Sequence, residues 1–166
     1  VGNGSLTDVE NQTHFTLWSM LSAPLILGND VRNFAAGSGN LSEKDQKVYD
    51  IVTNKEIIAL NQDLPLLQCK RISTANGMDI LVKPLQNQET GEAEVAVCFF
   101  NKTGGNNSSA SVDLKELAAQ DARLADLGWD GTELYRVKNL WTDEEALTGN
   151  MLTSGNIASH GVEVYR

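Results

Sequence analysis

The 166-residue sequence has few basic residues and no long apolar run. Thirteen lysines and arginines stand against 22 aspartates and glutamates, which gives a formal net charge of −9. Because phosphate binding needs clustered positive charge, we expect no nucleic-acid partner. No apolar stretch approaches the roughly 20 residues that cross a bilayer, so we expect no membrane partner. The first residues, VGNGSLTDVE, resemble no signal peptide, and localisation stays unknown, secreted or bacterial cytoplasmic.

Histidine and cysteine are also scarce, which argues against a metal site. His14 and His160 are the only histidines, and neither they nor Cys69 and Cys98 have the paired spacing of metal ligands. The sequence contains no G-x-S-x-G elbow, no P-loop and no G-x-G-x-x-G after a strand. We therefore expect no metal and no cofactor. The two cysteines could form one bridge or remain buried thiols, and their apolar neighbourhoods favour thiols.

The first part of the chain alternates between helix, strand and helix. Thr7 followed by Glu10 predicts a capping box at the start of one helix, and Ser42 predicts the start of another. Between them, residues 24–30 read PLILGND, an apolar run with a polar end that is typical of a strand buried on both faces. Such a strand needs neighbouring strands and a layer of helices, so most of its sheet must lie outside this sequence.

After Pro65 the pattern changes to that of antiparallel strands. The segments LLQCKRIS, MDILVKPL and AEVAVCFFN are separated by turn-forming residues and predict a meander. Four later segments complete about seven strands, and KELAAQDARLADLG predicts a short helix. The fold class is therefore α/β plus all-β, with a small antiparallel β-sandwich as the second part.

Three residues are candidates for carbohydrate or substrate contact. Asn29 and Asp30 lie at the C-terminal end of the predicted buried strand, where α/β folds place their sites. They could contact substrate, or they could cap the following turn. Trp141 could be a stacking platform for a sugar, or an aromatic that anchors one sheet on the other. The sequence identifies no pair of carboxylates at a glycosidase separation.

The first 63 residues closely resemble the end of the catalytic domain of glycoside hydrolase family 27, which contains α-galactosidases and α-N-acetylgalactosaminidases. In that family a V-G-N segment follows the seventh barrel strand, a helix with an H-F-x-x-W-like run leads to an A-P-L strand ending in N-D, and N-Q-D closes the barrel. The matching residues are Val1-Gly2-Asn3, His14-Phe15, Trp18, Ala23-Pro24-Leu25, Asn29-Asp30 and Asn61-Gln62-Asp63.

The resemblance implies a C-terminal fragment of a (β/α)8 TIM barrel, residues 1–63, followed by an antiparallel β-sandwich, residues 64–166. Residues 24–30 would be the eighth barrel strand. Family members retain the anomeric configuration with two aspartates, which follow the fourth and sixth barrel strands. Both would precede Val1, so no catalytic residue is expected in this chain, and the chain alone should be inactive.

The implied function is that of a retaining α-galactosidase acting on a terminal α-galactoside of an oligosaccharide or glycoconjugate. An upstream barrel segment is the expected partner, and a homo-oligomer is possible. Two alternatives stay open. One is another activity of the same family, on α-N-acetylgalactosamine or β-L-arabinopyranose, and the other is a carbohydrate-binding or packing module without catalysis.

Overall fold

The computed structural model of this chain describes residues 1–35, 39–105, 109–129, 131 and 134–166. Helices occupy most of the first 63 residues and strands most of the remainder. The helices are α1 (Asp8–Met20), α2 (Glu43–Val52), α3 (Lys55–Asn61), α4 (Leu117–Gln120) and α5 (Ala122–Asp126), with 3-10 turns at Val31–Phe34 and Leu114–Glu116. The strands are β1 (Lys70–Ala75), β2 (Met78–Gln86), β3 (Ala93–Asn101), β4 (Ser111–Asp113), β5 (Tyr135–Lys138), β6 (Glu145–Thr148), β7 (Met151–Thr153) and β8 (Val162–Tyr165).

Polar caps set the starts of the first three helices. The Thr7 side chain accepts the Glu10 N–H while the Glu10 carboxylate accepts the Thr7 N–H, so the predicted capping box is confirmed. Ser42 caps α2 as predicted, by accepting the Asp45 N–H. Asn54, where the sequence predicts only a helix end, also starts α3 by accepting the N–H of Ile57.

The predicted strand over residues 25–28 does not form. Residues 24–30 belong to no ladder, and the Ile26 and Leu27 side chains are 87% and 46% exposed. The prediction of burial on both faces is therefore wrong for this chain. A parallel strand is buried only when other strands pair with both of its edges. None of the described residues supplies such a strand, so this segment stays exposed.

The second part is built on a four-stranded antiparallel sheet in the order β1-β2-β3-β8. The meander predicted for its first three strands is confirmed, with Lys70 opposite Val82 and Leu81 opposite Cys98. Two shorter ladders, β4 with β7 and β5 with β6, accompany this sheet. Helices α4 and α5 lie in the segment where the sequence predicts a short helix.

Both faces of the four-stranded sheet are covered, because side chains alternate between them along each strand. One face packs against the short ladders and α5 in a core that includes Val82, Val97, Phe99, Leu124, Val137 and Leu152. The other face packs against α1 and α3 in a core that includes Phe15, Met20, Ile57, Leu60, Ala96, Cys98 and Val164. The helices and the sandwich therefore share one sheet.

The two cysteines are free thiols, as the sequence interpretation favours. Cys98 is buried on β3, and Cys69 is half-buried immediately before β1. Since β2 lies between β1 and β3, these two strands are two strand spacings apart, about 9.5 Å, whereas bridged Cα atoms are rarely more than about 7 Å apart. Burial raises the pKa of both thiols.

Candidate functional site

Asn29 ties the segment of residues 24–30 to the beginning of the chain. Its Nδ2 donates to the Val1 carbonyl oxygen at 2.8 Å and to Asn3 Oδ1 at 3.3 Å. Asn3 Nδ2 in turn donates to the Gly28 carbonyl oxygen at 2.8 Å. Two side-chain amides therefore join two backbone segments that form no strand ladder with each other.

Asp30 is engaged by Arg32 in a planar pair. The Arg32 guanidinium donates to the carboxylate through Nε at 2.8 Å and Nη2 at 2.6 Å, and the Arg32 N–H donates to Oδ1 at 3.1 Å. These hydrogen bonds from Arg32 lower the pKa of Asp30. Asp30 thus caps the 3-10 turn, which is one of the two roles that the sequence leaves open.

A groove of about 220 Å³ lies between α1 and residues 24–29. His14 and Trp18 from α1 form part of its wall, with their rings in an edge-to-face contact at 4.8 Å. Burial lowers the pKa of the His14 imidazole below its ordinary value. Val1, Phe15 and Leu25 also line the groove, which is therefore mainly apolar.

Trp141, the candidate sugar platform, is occupied by a contact with the helical part. Its indole N–H donates to Thr16 Oγ1 at 3.0 Å, and its ring packs against the core shared by α1, α3 and the sheet. The structure therefore does not bring Trp141 to the groove of Asn29 and His14. Trp141 anchors the sandwich to a helix rather than one sheet to the other, which the sequence interpretation did not foresee.

A larger cleft of about 720 Å³, missed by the sequence reasoning, lies in the sandwich. Trp129 and Tyr135 line it, stacked at a centroid distance of 5.4 Å and an interplanar angle of 15°. The Trp129 indole N–H donates to the Leu114 carbonyl oxygen at 3.2 Å, which fixes the pair against the core. The carboxylate of Glu94 in this cleft is bound by Arg166. The sequence signal that could have indicated this cleft is the segment LGWDGTELY, in which Trp129 and Tyr135 stand close to two glycines.

Metal and membrane features are absent from the residues that the structure covers. No three of their His, Cys, Asp and Glu side chains are grouped so that they could hold a metal ion. None of the described helices combines the length and the apolar character that a membrane crossing requires. The candidate site in the described residues is the apolar groove between α1 and residues 24–29. The side-chain amides of Asn3 and Asn29 hold one side of it, and the Asp30–Arg32 ion pair follows directly in the chain.

Two sequence profiles match the chain in tandem. The profile described as Alpha galactosidase A matches residues 1–63, and the profile described as Alpha galactosidase C-terminal beta sandwich domain matches residues 75–166. The fold and these matches define the end of a glycosidase barrel followed by its sandwich. The chain belongs to glycoside hydrolase family 27, the α-galactosidase family, and corresponds to its C-terminal portion.

Individual relatives agree with this assignment. Alpha-galactosidase 2 of Arabidopsis thaliana is 27% identical over 165 residues, 99% of this chain and 35% of that protein. The crystal structure of alpha-galactosidase I from Mortierella vinacea superimposes with a TM-score of 0.76 and 26% identity, over 99% of this chain and 36% of that one. A family 27 β-L-arabinopyranosidase from Geobacillus stearothermophilus has the same fold, with a TM-score of 0.69 and 21% identity, over 97% of this chain and 30% of that one. The chain spans about a third of the length of its relatives.

Proposed function

We propose that this chain is the C-terminal part of a retaining α-galactosidase, which hydrolyses terminal α-D-galactosides of oligosaccharides or glycoconjugates. The observation that carries the proposal is the tandem match of residues 1–63 and 75–166 to two parts of one enzyme family. That the chain spans 35% of the Arabidopsis relative supports a longer protein, with the rest of the barrel upstream.

The proposed domain division places the last helix–strand–helix portion of the barrel in residues 1–63 and the sandwich in residues 64–166. The two profiles support a boundary between residues 63 and 75. The shared sheet adds that the two parts pack directly on each other, with Phe15 and Ile57 on one side and Cys98 and Val164 on the other.

The chemistry that the family resemblance implies requires two aspartates, both upstream of Val1. One attacks the anomeric carbon and forms a covalent glycosyl intermediate, while the other protonates the leaving oxygen. Water, deprotonated by the second carboxylate, then releases galactose with retained configuration. This chain contributes none of these groups, so it has no hydrolytic activity by itself.

The contribution of this chain is to complete the barrel and to border the sugar site. In the longer protein residues 24–30 form the eighth strand, and Asn29 and Asp30 lie at its carboxyl end, the face on which barrel enzymes bind substrate. The hydrogen bonds of Asn29 to Val1 and Asn3 support this placement, because they hold residues 24–30 against the segment that follows the proposed seventh strand. The Asp30–Arg32 pair shapes the loop that follows.

Exposed apolar side chains support docking of an upstream segment. Ile26, Leu27 and Val31 are 87%, 46% and 61% exposed, and Trp18 on the adjoining helix is 45% exposed. Apolar side chains clustered in this way mark a surface that another part of a protein covers. Neighbouring strands and helices of the barrel are the occupants that this surface fits.

Two measurements test the proposal. The coding sequence immediately 5′ of Val1 should encode, in frame, a barrel with two aspartates at the ends of its fourth and sixth strands, and a start codon there would overturn the proposal. The longer protein should release galactose from an aryl α-galactoside, whereas the 166-residue chain should not. Full activity of this chain alone would equally contradict the proposal.

The same assay, repeated with other substrates, separates the alternatives. Faster turnover of an aryl α-N-acetylgalactosaminide or β-L-arabinopyranoside would replace the proposed substrate while keeping the family. Saccharide binding by this chain, with no activity in the longer protein, would indicate a carbohydrate-binding module instead. Trp141 is then not the residue to mutate, because its indole N–H is engaged by Thr16.

A further inference from the structure

Lys83 is a fully buried lysine in the middle of the four-stranded sheet. It lies on β2, and its side chain crosses from the sandwich into the helical part of the chain. The Lys83 Nζ donates to Ser22 Oγ at 2.7 Å, to the Ser19 carbonyl oxygen at 3.3 Å, and to the carbonyl oxygen of Leu60. A buried lysine without hydrogen-bond partners is strongly destabilising, so these three acceptors account for its position.

The three acceptors fit an ammonium group rather than a neutral amine. An ammonium has three protons, one for each acceptor, whereas an amine has two. The Ser22 hydroxyl donates a hydrogen bond to the Leu67 carbonyl oxygen at 3.2 Å. Its oxygen is therefore the acceptor in the hydrogen bond from Lys83 Nζ. Burial lowers the pKa of Lys83, and the charge of Asp63 opposes that effect.

The acceptors of Lys83 belong to the ends of two helices. Ser19 is in the last turn of α1, Leu60 is in the last turn of α3, and Ser22 has a positive φ of 50° in the turn after α1. Last-turn carbonyls lack the N–H partner that continues a helix. The Ser19 carbonyl oxygen also accepts the Ser22 N–H at 3.1 Å, and Lys83 adds to both carbonyls a donor from outside the two helices. One side chain from the sandwich therefore fastens two helix ends.

The same turn is held from two further directions. Asn61 Nδ2 donates to the Ala23 carbonyl oxygen at 2.7 Å, and the Cys69 N–H donates to the Met20 carbonyl oxygen at 2.9 Å. This turn leads directly into residues 24–30, the proposed eighth strand. Its conformation thus depends on the sandwich, from which both Lys83 and Cys69 reach it.

We propose that Lys83 is a buried clamp through which the sandwich fixes the C-terminal ends of α1 and α3, so that helices and sandwich open as one unit. The clamp goes beyond the proposed function, because it concerns folding and holds whichever sugar the longer protein hydrolyses. It also means that the barrel portion, residues 1–63, depends on the sandwich for its conformation, so the sandwich is not a separable module. Buried charged groups of this kind can specify how elements are arranged.

Hydrogen exchange of the 166-residue chain tests the clamp, with Lys83→Met as the variant. The amides of Leu21, Ala23 and Cys69, which donate within the turn or across to it, report on local opening. The amides of Asn101 and Leu140, which donate to Gly161 and Val164, report on the sandwich. In the unchanged chain we expect both sets to exchange at similar rates, through shared openings.

In Lys83→Met we expect the turn amides to exchange at least about tenfold faster than in the unchanged chain, while the sandwich amides change much less. The matched control is Lys70→Met on the neighbouring strand, because Lys70 Nζ donates at 2.6 Å to the carbonyl oxygen of Gln120 in α4, not to α1 or α3. Lys70→Met should leave the turn amides unchanged.

Ser22→Ala, which removes one acceptor and keeps the lysine, decides the case if Lys83→Met fails to fold. It should accelerate the same turn amides by a smaller factor. The proposal is overturned if Lys83→Met leaves turn exchange unchanged, or if it accelerates both sets of amides equally. It is also overturned if Ser22→Ala leaves the turn amides as slow as in the unchanged chain. None of these readouts depends on galactosidase activity.

Discussion

The indole N–H of Trp141 donates to the hydroxyl of Thr16 at 3.0 Å and so joins the sandwich to the middle of α1. Thr16 is fully buried, and its hydroxyl donates a hydrogen bond to the Gln12 carbonyl oxygen at 2.8 Å. Both hydrogen-bonding groups lie at the boundary between helices and sheet. The bond therefore makes Trp141 an internal fastening of the chain.

Trp141→Phe should lower the free energy of unfolding by about 1–2 kcal/mol, because it removes this hydrogen bond and part of the buried ring. Trp18→Phe is the control, since Trp18 lies on the same helix and is 45% exposed, and it should change stability by no more than about 0.5 kcal/mol. Denaturant titration measures both. Equal stabilities of the Trp141 variant and the unchanged chain would contradict the assigned role.

The two cysteines should react as free thiols, Cys69 slowly in the folded chain and Cys98 only after unfolding exposes it. Cys98 is fully buried and Cys69 is half-buried, and raised pKa values leave little reactive thiolate at neutral pH. We expect a maleimide to label Cys69 slowly and Cys98 not at all in the folded chain, and both in denaturant. Mass spectrometry checks the labelled sites, and Cys69→Ser should abolish folded-state labelling. A chain lighter by the mass of two hydrogen atoms would reveal a disulfide instead.

We expect the free energy of unfolding to depend on pH through Glu10, which caps the start of α1. Hydrogen bonds from the Thr7 N–H and hydroxyl, and a 3.0 Å contact with His160 Nδ1, lower the pKa of Glu10 below its ordinary value of 4.5. The carboxylate thus stabilises the fold above pH 4.5, and this contribution is lost as the pH falls through the lower, folded-state pKa. The stability difference between the unchanged chain and Glu10→Gln should therefore shrink below pH 4.5 in pH-dependent denaturation. A constant difference down to pH 3 would be the contrary result.

In the proposed longer enzyme, the pair of Asp30 and Arg32 should affect activity by shaping the loop that contains it. Because both side chains are largely exposed, at 44% and 87%, the pair contributes little energy by itself. Asp30→Asn and Arg32→Gln should therefore each lower kcat/KM by the same small factor, of only a few-fold. A loss of more than about 100-fold in Asp30→Asn alone would show that Asp30 contacts the sugar.

Local sequence patterns predicted the parts of this fold that local chemistry determines. Thr7 and Glu10 place their side chains beside each other's N–H groups, and Ser42 places its hydroxyl beside the Asp45 N–H. Alternating apolar residues and turn-forming clusters predicted the meander of β1 to β3, since each strand pairs with its neighbour in sequence. The resemblance to family 27 supplied the larger architecture.

Features that depend on distant contacts could not be predicted in this way. Nothing in MDILVKPL indicates that Lys83 is buried, because its acceptors belong to α1, to the turn after α1 and to α3. Trp141 likewise meets Thr16, which is far away in the sequence. Residues 25–28 are the opposite case, because a clear local pattern predicts a buried strand there. The described residues provide no strands to cover it, so the segment is exposed.

Amide exchange of residues 25–27, compared between this chain and the longer enzyme, tests the central claim most directly. We predict rapid exchange in this chain as a proven monomer, because these residues join no ladder, and strong protection in the longer enzyme, where barrel strands pair with both edges. Strong protection of residues 25–27 in the monomeric chain, or rapid exchange in the longer enzyme, would contradict the view that they form the closing strand of the barrel.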